Sequence, residues 1–204
     1  MLPNWCAGVF FGPRAGTAKR ASRRLPLAVL FCLLALSGRE AFGVEPAVSV
    51  SVGRSGDAFI VDATIDVQVP PGVAWDVLTD FDRMTSILQN LQSSKVTSRD
   101  GNVLIVRQEG VAKYGLLSFS FVSERQIRLE PMQRILSKNL SGTLKRMESE
   151  AKLAAVDRGV QIRYHAESVP DSMLARMFGA SFVRHEAEEQ FLAMAREMVR
   201  RHEK

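Results

Sequence analysis

The sequence predicts an α+β domain in which one antiparallel sheet of about six or seven strands is covered by a single long C-terminal helix. Three observations predict it. Val61, Ala63, Ile65, Val67 and Val69 alternate with Asp62, Thr64, Asp66 and Gln68, the period-two pattern of a half-buried antiparallel strand. Between Ser93 and Pro170 the chain divides into strand-length runs at turn signals: Arg99-Asp100-Gly101-Asn102, Lys113-Tyr114-Gly115, Pro131 and Asp157-Arg158-Gly159. After Pro170, Leu174, Met177, Phe178, Ala187, Phe191, Met194, Ala195 and Met198 recur at three and four residues, the stripe of an amphipathic helix. A meander of strands exposes a large apolar face, and the terminal helix is the one element left to cover it.

The first 43 residues have a different character. The chain of 204 residues carries a net charge of +5, which invites a nucleic-acid reading. Yet Arg14, Lys19, Arg20, Arg23, Arg24 and Arg39 face only Glu40 in residues 1–43, and the rest of the chain is neutral. No phosphate-tracking surface is left, and nucleic acid is not an expected partner. Arg23-Arg24, the uncharged run Leu25–Leu36, and Ala41-Phe42-Gly43 have the layout of a secretory signal peptide cleaved after Gly43. The apolar run is shorter than the roughly 20 residues of a membrane-spanning helix. Both cysteines, Cys6 and Cys32, lie in this leader, so the exported chain has no disulfide, thiolate metal site or cysteine nucleophile. The expected location is the periplasm.

The mature elements follow in order. Residues 44–57 are a lead-in, either flexible or a first edge strand. The alternating strand ends at Pro70-Pro71, because proline cannot donate to the sheet ladder; Pro71 suits the first position of a helix. Val73, Ala74, Trp75, Val77 and Leu78 form the apolar side of a two-turn helix broken at Asp80-Phe81-Asp82. Asp82 is expected to cap a second short helix, with Met84, Ile87 and Leu88 inward. Later strands place Leu117, Phe119 and Phe121 on one face, Met147, Ser149, Ala151, Leu153 and Ala155 on another, and Val160, Ile162 and Tyr164 opposite Gln161, Arg163 and His165. The terminal helix is expected from Asp171 or Ser172 to about Arg201, weakened locally by Gly179.

The stretch Val69-Pro70-Pro71, Trp75, the corner Leu78–Met84 and the late strand "YHAESVP" together resemble the START-like superfamily, the Bet v 1-like helix-grip fold, in its coenzyme Q-binding or polyketide cyclase/dehydrase branch. The resemblance covers residues 58–202 and sets a START-like ligand-binding domain at residues 58–204. It implies a curved sheet wrapped around the terminal helix, two short helices after the first strand plugging one end of the groove, and an apolar small molecule held between sheet and helix. The ligand contacts it implies are Trp75, Leu78, Leu117, Phe119, Phe121, Met147, Ser149, Ala151, Tyr164, Met177, Phe178 and Phe182. Small residues at Ser149 and Ala151, Gly142 and Gly159 beside neighbouring strands, and the adaptable methionines Met132, Met147, Met173, Met177, Met194 and Met198 agree with an unfilled groove, and equally with a filled core.

Catalytic and metal signatures are sparse. Among His165, His185 and His202, only His185 pairs with a helical neighbour, Glu189, and no third ligand accompanies them. Phosphate-loop, dinucleotide and G-x-S-x-G motifs are absent from the sequence. Asp76, Asp80 and Asp82 read as capping and turn residues. Tyr164, facing inward, is the leading polar candidate for orienting a ligand, with Arg128 and Asn139 weaker. No catalytic residue, metal or cofactor is assigned. The expected function is non-catalytic binding, or transport, of a lipid or quinone-like molecule, with transient membrane contact allowed. The alternatives are a cyclase or dehydratase using Tyr164 and a carboxylate, and an interaction module without an open cavity.

Overall fold

Alternating apolar residues build the sheet strand by strand, and glycine-bearing turns fold it back on itself. A computed structural model describes residues 45–114, 117–170 and 179–204. The elements are β1 (Ala47–Ser55), β2 (Ala58–Val67), α1 (Pro71–Leu78), a 3₁₀ helix (Phe81–Ser86), β3 (Leu91–Asp100), β4 (Val103–Tyr114), β5 (Leu117–Glu130), β6 (Arg134–Gly142), β7 (Leu144–Val156), β8 (Gly159–Pro170) and α2 (Ala180–His202). The strands form one curved, open sheet in the order β1-β2-β8-β7-β6-β5-β4-β3. Each neighbouring pair is antiparallel.

The sheet has eight strands, more than the sequence suggests, because Ala47–Ser55 pairs with β2 along its whole length. Of the two readings open for residues 44–57, the edge strand is the one observed, and the short helices therefore follow the second strand. The topology explains the proline exit. β2 lies beside one edge of the sheet, and β3 forms the opposite edge. The chain must leave the ladder after Val67 and cross the sheet before pairing again. Pro71 opens α1 as expected, and Ala74 and Val77 bury its inner side. α1 packs against α2, β7 and β8, while the 3₁₀ helix packs against β3.

Two details of the corner differ from expectation. Asp80, not Asp82, precedes the 3₁₀ helix, and neither caps it with a side-chain hydrogen bond. Asp82 instead accepts a bond from the Val96 backbone N–H at 2.8 Å, tying the corner to β3. The terminal helix is not continuous through Gly179: that residue is extended (φ −92°, ψ 177°), and α2 begins after it at Ala180. The expected helical residues Leu174, Met177 and Phe178 lie outside the described residues, as do the leader and its cysteines. At the β7–β8 turn Gly159 adopts φ 143°, and a Cβ there would lie 2.2 Å from the Val67 carbonyl oxygen. Glycine is needed on both counts.

The core lies between sheet and helix at one end. Ala195 (0% exposed) and Met198 (1%) press against apolar residues from β2, α1, β4, β5 and β8, among them Val77, Leu104, Val106, Ile127 and Val160. Beside them is an ion-pair network. Arg201 donates to Asp80 and to Glu197, each at 2.7 Å, and Arg200 donates to Glu197 at 2.6 Å. Arg83 donates to Asp80 at 3.0 Å. Burial pushes the Asp80 carboxyl up, but the hydrogen bonds from Arg83 and Arg201 outweigh it and hold the group below its usual range. The bond from Arg200, opposed by burial and aided by Arg201, holds Glu197 at about 2. The network fastens the last turns of α2 to the corner after α1.

Both carboxylates are more acidic folded than unfolded. Their stabilisation is therefore complete above the ordinary values of 3.8 and 4.5 and is lost as pH falls through the folded values. Arg201→Met is expected to cost about 1–2 kcal/mol in urea unfolding at neutral pH. The gap between variant and parent should narrow steadily as the pH is lowered from about 5 toward 2.

Candidate functional site

Away from that fastened end, α2 touches the sheet where the Phe191 ring meets Tyr164. A cavity of about 450 Å³ lies between them, within the size range of small-molecule sites. Its walls are mostly apolar. Phe59, Val61 and Ile65 come from β2, Ile127 from β5, Ile162 from β8, and Phe191 from α2. The period-two register of the strands explains this composition, since every second residue of each strand turns toward the concave face. Along α2, positions three and four apart do the same: Phe182, Val183, Glu186, Ala187, Gln190, Phe191 and Met194 all reach the cavity. At the β4 wall Gly110 leaves room for the Phe121 ring, which would lie 2.7 Å from a Cβ there.

The residues singled out from the sequence divide into three groups. Leu78, Phe119, Phe121, Met147, Ser149, Ala151, Tyr164 and Phe182 line the cavity. Trp75 does not. It is partly buried against the apolar core from α1, consistent with an anchoring ring but outside the cavity wall. Leu117 lies in β5 with its side chain outside the described residues, and Met177 and Phe178 lie outside them altogether. Of the methionines, Met147, Met194 and Met198 reach the cavity, as does Met84. Met132 is instead an exposed turn residue with φ 63°, and Met173 is not described. His165 sits on the outer face, its Nδ1 2.7 Å from Asp62.

A row of polar side chains crosses this apolar wall. Ser94 on β3 donates to the Phe81 carbonyl at 2.6 Å, and Gln108 on β4 donates to Ser94 at 2.9 Å. The Gln108 carbonyl oxygen in turn accepts from Arg125 on β5. Ser137 on β6 and Ser149 on β7 stand directly opposite each other. Tyr164 on β8 is hydrogen-bonded to Ser149 and meets the Phe191 ring edge-on, with centroids 5.0 Å apart. Burial pushes the Tyr164 phenol up, against the opposing effects of the Ser149 bond and the nearby Arg125 charge. Burial likewise pulls the Arg125 guanidinium down. Glu186 on α2 is the acidic residue of the lining; burial raises it, and Asn90 donates to it at 3.2 Å.

Arg125 is the residue that sequence reasoning missed. Arg128 is exposed and Asn139 donates to the Leu144 carbonyl at 3.1 Å; neither lines the cavity, whereas Arg125 does. The signal was present: extending the inward register of Phe119 and Phe121 by twos gives Ser123, Arg125 and Ile127, all cavity residues.

The chain matches the family model for polyketide cyclase / dehydrase and lipid transport over residues 58–199. No curated protein matches the sequence. Among solved structures, the Zhui aromatase/cyclase from Streptomyces sp. R1128 is similar at 17% identity and a TM-score of 0.57, covering 71% of this chain and 95% of that one. A STAR-related lipid transfer protein from Xanthomonas axonopodis is similar at 8% identity and a TM-score of 0.57, covering 79% and 95%. A START superfamily protein from Mycobacterium smegmatis shows 13% identity and a TM-score of 0.54, covering 71% and 97%. At these identities the likeness shows the fold.

The sequence contains two tyrosines, Tyr114 and Tyr164. In a Tyr114→Phe variant, spectrophotometric titration therefore reads Tyr164 alone. Less than half of its phenolate absorbance is expected at the ordinary tyrosine value of 10.0.

Proposed function

The chain belongs to the polyketide cyclase / dehydrase and lipid transport family, and on that premise we propose that it is a non-catalytic carrier of a hydrophobic small molecule, such as a lipid or quinone. The observation that carries this reading is the apolar cavity of about 450 Å³ between the sheet and α2. Transfer of an apolar molecule from water into such a space is favoured by about 25 cal/mol per Å² buried. A few polar groups on the wall suffice to set its orientation. The contacts with the ligand fall to Leu78, Phe119, Phe121, Met147, Ala151 and Phe182, with Ser149 and Tyr164 as orienting groups.

Tyr164 supports the carrier over the cyclase or dehydratase alternative. The neighbours that act on its phenol are Ser149 and Arg125, not the carboxylate that paired acid–base chemistry would need. Export to the periplasm belongs to the same proposal, on the strength of the Arg23-Arg24 to Gly43 layout. There a carrier would move its ligand between apolar phases with only transient contact to a membrane.

Uptake of a neutral hydrophobic fluorophore, N-phenyl-1-naphthylamine, tests the reading. The parent protein should bind it saturably with one site. Ala151→Trp, which places an indole in the cavity, should abolish most of the signal while the circular dichroism spectrum stays that of the parent. Tyr164→Phe should weaken binding by no more than about fivefold, the worth of one neutral hydrogen bond. An unchanged signal in Ala151→Trp, or no uptake by the parent, would count against a carrier.

A further inference from the structure

We propose that Arg125 and Ser137 form a seat for a single negatively charged head group, so that the ligand is a long-chain amphiphile ending in a carboxylate. This deepens the carrier reading and rests on it. Among the described residues, two polar atoms on the cavity wall lack a hydrogen-bond partner: Arg125 Nε and Ser137 Oγ, both shielded from solvent. They belong to adjacent strands. Ile127 pairs with Ser137 across β5 and β6, which makes Arg125 and Ser137 diagonal neighbours on the same inward face, within reach of one bound group.

The energetics favour an anion there. Arg125 is half-buried with its Nε shielded from solvent, and the described hydrogen bond on its guanidinium goes to a neutral acceptor, the Gln108 side-chain oxygen. No carboxylate is ion-paired with it among the described residues; Glu186, the acidic residue of the cavity lining, is held by Asn90 instead. A buried guanidinium without a counter-charge is costly, and so is a buried hydroxyl without a partner. A native fold keeps such groups where something else completes them. A carboxylate offers two in-plane oxygens, one suited to the guanidinium edge and one to the serine hydroxyl. Arg125 is the one cationic side chain among the described lining residues, which matches a head of one negative charge rather than the two of a phosphate monoester. The apolar walls around Phe59, Phe121, Ile162 and Met194 then receive the hydrocarbon tail.

The test compares hexadecanoic acid with hexadecan-1-ol as competitors of N-phenyl-1-naphthylamine on the full-length chain at pH 8. The acid should displace the fluorophore at a concentration at least about tenfold lower than the alcohol, as a charge-assisted pair would give. In Arg125→Gln the ratio should fall to about one, and in Ser137→Ala it should shrink several-fold. Equal potency of acid and alcohol on the parent chain overturns the inference while leaving the carrier reading intact. So does a preference that survives in Arg125→Gln. If the fluorophore itself is not taken up, the carrier reading fails and takes this inference with it. The comparison on the parent chain decides the matter even where a variant does not fold.

Discussion

Among the described residues, one long helix covers a curved sheet of eight strands, and it is fastened at one end. Ala195 and Met198 sit in the core, and Arg201 ties the last turns of α2 to Asp80 at the corner after α1. The main packing partners of α2 are β1, β2 and α1, so its contacts gather along one edge of the sheet. Over the rest of the concave face a rod about 10–12 Å across cannot fill the space that curvature leaves. The apolar side chains there face a gap instead of each other. The cavity thus follows from geometry: among the described residues one long helix lies over the breadth of the sheet, and a clasp fixes where the covering begins.

The same constraint gives the polar row its importance. On an exposed sheet, Ser94, Gln108, Arg125, Ser137, Ser149 and Tyr164 would be ordinary hydrated residues. Under α2 each must find a partner inside the protein. Ser94, Gln108 and the outer end of Arg125 do so by relaying from strand to strand up to the Phe81 carbonyl, and Tyr164 does so through Ser149. The row is incomplete at its centre, at Arg125 Nε and Ser137 Oγ. A gap in an otherwise satisfied network is where a ligand contributes most, because the protein has already met the cost of ordering the groups around it.

Much of the fold could be read from residue patterns. The alternation of Val61 to Val69, the punctuation by Pro131 and Asp157-Arg158-Gly159, and the spacing of Ala187, Phe191, Met194 and Met198 each reflect a local rule, and each falls in or at the end of an element of the type the rule names, although the helix begins only after Gly179. What local rules do not carry is pairing. Ala47–Ser55 alternates Val48, Val50 and Val52 with small polar residues, too short a run to say whether it pairs, and becomes a strand because β2 offers it a free edge. Asp82 looked like a cap and became a tether because β3 returns past the corner with the Val96 N–H. Trp75 was a ligand contact implied by the family resemblance, but α1 directs it to the core. Arg125 was overlooked because a charged residue on an inward register position conflicts with the binary pattern, and such conflicts gather where a structure is built to bind something.

The most direct measurement is the native mass spectrum of the protein as it comes from the cell, gently purified and never exposed to organic solvent. An unfilled apolar space of this size in contact with cellular lipids should yield a second series of peaks, displaced by the mass of one small amphiphile and lost after solvent extraction. A single series at the mass of the chain alone, in protein whose cavity is accessible to small apolar molecules, would contradict the view that this space exists to hold one.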